Sequence, residues 1–466
     1  MKLYNTLTRS KDQFIPIDGK TARIYSCGPT VYSSPSIGNL RAYIFTDILK
    51  KAIELNGFEV FDIVNTTDVG HLQSDADEGE DKIEVAARKA NLDPMAIAKR
   101  YTDEFFDACD KLMIRRPKIT APATSYIEQM IEHIAGLEKL GYTYNTSDGV
   151  YFDSSRFTDY YILSKKKDSK EDKAGIRVAL GEKKNANDFC LWRFAKPTAL
   201  QKWQSPWGIG FPGWHIECSA IARHHFGDTF DIHTGGVDHI PIHHTNEIAQ
   251  TQALTNKPVA NFWIHNEFVM VDGGKMSKSL GNVYTVTNLE ERGFNPIAFR
   301  YFVLGAHYRT LLNFTFDALI GAQTSYDNLV KELSKHASRA STNNDKLAHQ
   351  YRTRFVEYMS DDLNTSRALA IVWELVKLSP DKLVYDLVIE FDQVLSLGLE
   401  NAVKQYLINT NVKIEIPKLV KEMADKRIQL KKDKQFADAD KLREEIKYLG
   451  YEISDTKDGY EITKIN

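Results

Sequence analysis

Ala22-Arg23-Ile24-Tyr25-Ser26-Cys27-Gly28 reads as a short apolar strand, and together with the helix and strand after it this stretch decides the fold. Leu40, Ile44, Ile48, Leu49 and Ile53 recur at helical spacing between Asn39 and Asn56, and Gly57 stops that helix. Glu59-Val60-Phe61-Asp62-Ile63-Val64 is the next strand. Strand, helix and strand in so short a span predict a parallel βαβ unit, the opening of an α/β, doubly wound nucleotide-binding sheet. The loop between Gly28 and Gly38 therefore meets a helix N-terminus, where unpaired backbone N–H groups and the helix dipole favour phosphate. Gly28 and Gly38 let a ligand approach the backbone, so a nucleotide such as ATP is expected on this edge.

Outward from this unit, Phe230-Asp231-Ile232-His233-Thr234-Gly235-Gly236-Val237-Asp238 again reads as strand and glycine turn, followed by a helix from about His243 to Leu254. This predicts the second half of the sheet. Residues 115–205 lose the alternation and read as an insertion; its lysine-rich tract Ser164-Lys165-Lys166-Lys167-Asp168-Ser169-Lys170 carries mixed charge and reads as a solvated loop. Further on, Ala368, Ile371, Val372, Leu375 and Val376 form one apolar helical stripe, and Leu383, Leu387, Phe391, Val394 and Leu395 another, which predicts a bundle. Lys418 to Lys447 is basic and suggests an exposed or RNA-facing helix, followed by a hairpin from Tyr451–Ser454 and Gly459–Ile462. The expected boundaries are 1–114 and 206–265 for the two catalytic halves, 115–205 for the insertion, 266–315 for a loop-bearing region, 316–411 for the bundle and 412–466 for a small C-terminal domain.

Bulk properties set limits on this reading. A chain of 466 residues exceeds one ordinary core, and a net charge of −3 supplies no global attraction to nucleic acid, so any RNA contact must be local. No apolar run approaches bilayer length and the first residues lack a signal-peptide core, which predicts a cytosolic protein with no membrane partner. Cys27, Cys109, Cys190 and Cys218 are widely spaced, consistent with reduced thiols.

Gly273-Gly274-Lys275-Met276-Ser277-Lys278-Ser279 places two lysines three residues apart on a small-residue loop. Flexible ammonium groups of this kind can follow a pyrophosphate as it leaves an α-phosphate, although alone the pattern is a common surface turn. This run matches the Lys-Met-Ser-Lys-Ser signature of class I aminoacyl-tRNA synthetases, and Ser36-Ile37-Gly38-Asn39 stands where their His-Ile-Gly-His loop is expected. Together with Cys27 to Tyr32, Gly213-Trp214-His215-Ile216-Glu217-Cys218-Ser219, His243-His244-Thr245-Asn246-Glu247, Asp361-Asp362-Leu363-Asn364-Thr365 and Ala437 to Arg443, the chain resembles cysteinyl-tRNA synthetases from end to end.

The resemblance implies a two-step reaction: L-cysteine and ATP, with Mg²⁺ on the triphosphate, give cysteinyl-adenylate, and the cysteinyl group then passes to tRNA-Cys. It implies Pro29, Gly38, Asn39, Lys275, Ser277 and Lys278 at ATP, with Ser36, Asn39, Lys275 and Lys278 serving the chemistry. Gly28, Thr67, Trp214, His215 and Asp238 are expected at the amino acid and adenylate; Trp214 could equally be core, and Asp238 an Asx turn. One zinc ion on Cys27, Cys218, His243 and Glu247 is implied, with the two cysteines on separate strands or turns. From the residues alone, only the spacing of His243 and Glu247 points to a shared helix face. Zinc suits the task because a pocket shape separates cysteine from serine poorly, whereas a metal distinguishes thiolate from alcohol.

Ser36 departs from the family's first histidine, and losing one transition-state donor costs roughly a hundred- to a thousandfold in rate, so weakened adenylation is expected. Two rivals stay open: a related ligase joining cysteine to an amino sugar, which would not need residues 361–466, and a non-catalytic paralogue that binds tRNA or cysteine. A monomer is expected.

Overall fold

Thr21–Ser26 (β1) runs in the middle of a five-stranded sheet with Glu59–Thr66 (β2), Ile119–Pro122 (β3), Phe230–Gly236 (β4) and Ala260–Asn266 (β5), in the order β5-β4-β1-β2-β3. Every neighbouring pair is parallel. The chain winds outward from β1 to β3, then returns to the other side of β1 for β4 and β5, which is the doubly wound pattern. These strands read as near-continuous apolar runs because helices cover the sheet, as with Ala22, Ile24 and Tyr25 of β1, all buried. This computed structural model describes residues 1–70, 80–165, 182–277, 280–411, 417–456 and 459–464. Lys278, Ser279 and Lys166 to Lys170 of the lysine tract lie outside the described residues.

Ile37–Leu55 forms the first crossover helix (α1), starting two residues before the expected Asn39. The reason is a reciprocal cap. The Ser36 hydroxyl accepts from the Asn39 backbone N–H at 3.1 Å, and the Asn39 side-chain oxygen accepts from the Ser36 backbone N–H at 3.1 Å. Leu40, Ile44, Ile48, Leu49 and Ile53 are all buried, as their spacing predicts.

The structure redraws the edges of the expected insertion. β3 falls inside 115–205 yet pairs with β2, while Gly210–Pro212, beyond 205, pairs with Phe189–Phe194 in a four-stranded antiparallel sheet. β3 carries only Ile119 and Ala121 as apolar residues before a proline, too little pattern to announce a strand. Helix Ile127–Lys139 packs on the inner face of that second sheet, with Met130, Ile134 and Leu137 in one buried cluster with Val150, Phe152 and Leu191.

Two compact units result, Met1–Asn401 and Ala402–Asn466. The first includes helices Phe316–Ala337, Asp345–Ser360, Thr365–Leu375 and Lys382–Leu395, whose expected stripes are core: Ile371, Val372, Leu387 and Phe391 are buried. Buried Arg300 ties this bundle to α1, donating to Asp47 at 2.7 Å and to the Leu395 carbonyl at 2.8 Å. Asp362 of the Asp361–Thr365 run is also fully buried; it accepts from the Tyr308 hydroxyl at 2.6 Å, the Arg309 guanidinium at 2.6 Å and the Tyr4 backbone N–H at 2.9 Å. In the second unit the basic stretch is two helices, Lys418–Lys432 and Phe436–Tyr448, broken where Lys434 adopts φ 62°. The hairpin Tyr451–Thr456 and Gly459–Lys464 packs Ile453 beside Val420, Ala424 and Ile446.

Candidate active site

The winding direction reverses between β1 and β4, and in open sheets of this kind ligands bind beyond the carboxyl ends of the strands at such a reversal. Cys27 follows β1 directly, Cys218 lies on helix Trp214–Phe226 (α2), and His243 and Glu247 occupy the first turns of helix His243–Thr255 (α3). The sequence pattern puts Cys218 on a strand or turn, and the structure puts it on a helix; α2 is buried from His215 to Ala222, so it lacks the polar face that marks a helix.

Four ligand atoms of Cys27, Cys218, His243 and Glu247 lie within 4.8 Å of one another. The two sulfurs are 4.0 Å apart, Cys27 Sγ is 3.9 Å from Glu247 Oε1, and His243 Nε2 is 3.1 Å from the same oxygen. Tetrahedral zinc, with sulfur at about 2.3 Å and nitrogen or oxygen at about 2.0–2.1 Å, requires edges of about 3.8 Å between sulfurs and about 3.3 Å between nitrogen and oxygen. The residues present therefore fit the ion.

A shell of histidines surrounds them. His215 Nδ1 is 2.9 Å from His243 Nδ1, and the Trp214 ring centroid lies 4.3 Å from that of His243. His215, expected to line the pocket, is buried and meets the His243 ring. His233 Nε2 meets Glu247 Oε2 at 2.8 Å, and His244 Nε2 lies 3.2 Å from Cys27 Sγ. His244 Nδ1 continues to His265 at 2.7 Å, and His265 to the Thr6 hydroxyl at 2.7 Å. Cys27, His233, His244 and Glu247 form a second overlapping group of possible ligands. The sequence pattern assigned no role to His233, His244 or His265; the three-residue step from His244 to Glu247 on one helix was the available signal.

Proton affinities here are strongly interdependent. Burial and the neighbouring Cys27 push the Cys218 thiol up. Burial also opposes ionisation of Cys27, but its hydrogen bond with Cys218 and the charges of His244 and His243 outweigh it and hold this thiol well below its ordinary range. His243 rises to about 10: burial works against the charge, and Cys27 and Glu247 overcome it. Glu217, beside Cys218 on α2, accepts from the Asn65 amide at 2.7 Å and from the Thr67 hydroxyl. Burial pushes its carboxyl up to about 8, so Thr67, expected at the substrate, is anchored to a largely protonated acid.

Gly28 donates its N–H to Asn65 Oδ1 at 2.8 Å, and a Cβ there would sit 1.5 Å from the Asn65 carbonyl oxygen, so only glycine fits. The Pro29 carbonyl accepts from Thr67 N–H at 3.0 Å, which knits the loop after β1 to the end of β2. Asp238 stands exposed in the short turn Val237–His239 after β4.

The other expected site residues gather at the N-terminus of α1. Ser36 Oγ, besides its capping role, lies 2.6 Å from Asn39 Oδ1 as donor. A Cβ on Gly38 would meet Met276 Sδ at 3.3 Å, and the Ile37 N–H donates to the Tyr284 carbonyl at 2.8 Å. Lys275 is exposed on strand Gly274–Lys275 (β7), which folds back on Val269–Val271 (β6). Asn282, to which the sequence pattern gave no role, braces the loop: it accepts from Ser277 N–H at 2.8 Å and donates to the Lys275 carbonyl at 3.1 Å. The structure thus brings Ser36, Gly38 and Asn39 to one edge with Met276 and the loop that carries Lys275 and Ser277; Lys278 lies outside the described residues.

Residues 13–324 match the family model for the "tRNA synthetases class I (C) catalytic domain", and residues 354–378 match that for the DALR domain. The chain belongs to the class I cysteinyl-tRNA synthetase family. Its relatives include "Cysteine--tRNA ligase 1" of Burkholderia lata, 42% identical over 98% of this chain and 96% of that protein. The "Cysteine--tRNA ligase" of Caldicellulosiruptor saccharolyticus is 40% identical over 100% of both chains. In fold, this synthetase is similar to Mycobacterium tuberculosis methionyl-tRNA synthetase in complex with methionyl-adenylate, with a TM-score of 0.57 at 16% identity, covering 82% of this chain and 91% of that one. Among the described residues of the synthetase, no helix is long and apolar enough to cross a membrane.

Proposed function

We propose that this protein joins L-cysteine to tRNA-Cys in two steps, adenylation by ATP and transfer to the tRNA 3′ end. The observation that carries the reading is the convergence of Cys27, Cys218, His243 and Glu247, at zinc-ligand spacing, where the winding of a parallel sheet reverses. Bound there, zinc would hold the substrate as thiolate and so select it over serine. His215 and His233 orient His243 and Glu247 as ligands from behind, which is how a second layer fixes tautomer and ring direction.

The N–H groups of Ser36, Ile37 and Asn39 are engaged within the protein, so the start of α1 attracts the triphosphate through the positive end of its dipole, and Gly38 keeps that approach free of a side chain. Lys275 and Lys278 neutralise the pyrophosphate as the cysteine carboxylate attacks the α-phosphate in line, with Mg²⁺ on the nucleotide. No covalent enzyme intermediate is required. Asp238, exposed beyond β4, accepts from the substrate ammonium or a ribose hydroxyl. Residues 361–466 favour tRNA over an amino sugar as the acceptor, since the second ligase would not need them.

Charging of a tRNA-Cys transcript with labelled cysteine by the zinc-loaded protein tests this, with serine as competitor. Cysteine-specific charging is expected. A folded protein that binds zinc, cysteine and tRNA but charges nothing would instead identify a binding paralogue, the reading that Ser36 favours.

A further inference from the structure

Arg41 lies two residues beyond Asn39 on α1 and is only 1% exposed, yet the described residues give its guanidinium no carboxylate hydrogen-bond partner. Among the described residues it donates only to backbone carbonyls. One terminal nitrogen reaches Glu267 at 2.9 Å and Phe268 at 2.5 Å; the other reaches His307 at 3.3 Å, Tyr308 at 3.4 Å and Thr310 at 2.5 Å. Burying a cation without a hydrogen-bonded acid is expensive: burial lowers the guanidinium to about 10, against the charge of nearby Glu267, and Nε has no hydrogen-bond partner among the described residues, yet the group stays charged at neutral pH.

What these carbonyls have in common is position. Glu267 and Phe268 immediately precede β6, and His307 to Thr310 precede Leu312–Phe314 (β8), which pairs in parallel with β6 from Val269 opposite Leu312 onward. β6 then turns through Asp272 and Gly273, both at positive φ, into β7 and Lys275. Arg41 therefore grips the root of the hairpin that carries Lys275, and does so from the helix whose first turn faces the triphosphate in the proposed adenylation.

We infer that Arg41 is a positioning residue for adenylation, holding the root of the Lys275 hairpin in register with the N-terminus of α1. The two phosphate-handling loops come from distant parts of the chain, and a planar fork with donors on both arms can span two strand entries at once. Lysine, a single point of three donors, cannot. This inference rests on the adenylation reading.

The test compares wild type with Arg41→Lys, and with Arg41→Gln should the lysine variant not fold. Three quantities are followed: cysteine-dependent ATP–pyrophosphate exchange, single-turnover transfer from preformed cysteinyl-adenylate to tRNA, and zinc content. Misplacing a catalytic group by about 1 Å costs on the order of a hundredfold, so kcat for exchange should fall by about that factor in folded Arg41→Lys. KM for cysteine, zinc content and the transfer rate should stay near wild type, because the hairpin root touches none of the groups they report. In a Lys275→Ala background the Arg41→Lys effect should shrink toward nothing, since the two residues act as one unit. Exchange within about threefold of wild type, parallel loss of exchange and transfer, or an undiminished effect in Lys275→Ala would overturn the inference. Wild type that charges and exchanges nothing would overturn the adenylation reading and this inference with it.

Discussion

Ser36→His separates two roles of one residue. In the structure Ser36 caps α1: its hydroxyl accepts from the Asn39 backbone N–H and donates to the Asn39 side-chain oxygen. Histidine cannot reproduce that cap, and loss of a serine N-cap costs about 1 kcal/mol of stability. Against this, an imidazole at the same place can reach the α-phosphate region as a donor, and one preorganised donor is worth roughly 3 kcal/mol in the transition state, on the order of a hundredfold in rate. The catalytic gain exceeds the structural loss. Cysteine-dependent ATP–pyrophosphate exchange at saturating substrates should therefore rise by tenfold or more in Ser36→His, while urea unfolding shows stability lower by about 1 kcal/mol. Ser36→Ala is the control, with a similar stability loss and an exchange rate at or below wild type. A folded Ser36→His protein with unchanged or lower kcat would refute the reasoning, and would show that the chain performs adenylation without a donor at this position or not at all.

Other parts of the molecule carry three further expectations. Because Cys27 and Glu247 belong to both possible ligand groups, His243→Ala should remove bound zinc measured by mass spectrometry and lower the preference for cysteine over serine. His233→Ala should only weaken zinc by about ten- to a hundredfold; the reverse pattern would assign the ion to His233 and His244. His133 is buried, with one nitrogen 3.4 Å from the Gln250 carbonyl and the other without a hydrogen-bond partner among the described residues, and burial lowers it from 6.5 to about 4. Its folded value lies below the unfolded one, so the unfolded chain takes up the proton first: stability should be full above pH 6.5 and fall toward pH 4, by at most about 3 kcal/mol, with the slope reduced in His133→Leu unfolding curves. Arg300→Met should destabilise the first unit by about 3–5 kcal/mol in denaturant titrations, because buried Asp47 loses an ionic partner and the Leu112 and Leu395 carbonyls lose a donor. An Asp47→Asn, Arg300→Met double variant should recover part of that loss.

Local pattern was enough for the elements that repeat a physical period. The apolar spacing from Leu40 to Ile53, the glycine turn after Phe230 and the stripes from Ala368 to Leu395 each had one compatible structure, and the parallel sheet followed from their order. The start of α1 was not among them: the spacing pointed to Asn39, and the reciprocal cap of Ser36 and Asn39 moves it to Ile37. His243 and Glu247 were legible as one face of one helix.

Position within the fold decided the rest, because it depends on groups far apart in the chain. β3 joined the main sheet through pairing with β2, not through any strong pattern of its own. α2 hid its helical character because both faces are buried. Cys27 and Cys218, separated by 191 residues, meet only because β1 ends where α2 crosses the sheet. The histidine shell and the grip of Arg41 on five carbonyls likewise exist only once β4, β5 and β8 lie in place. A sequence carries the periods that short-range packing requires, whereas burial of charge and assembly of ligands are set by which surfaces the folded chain brings together.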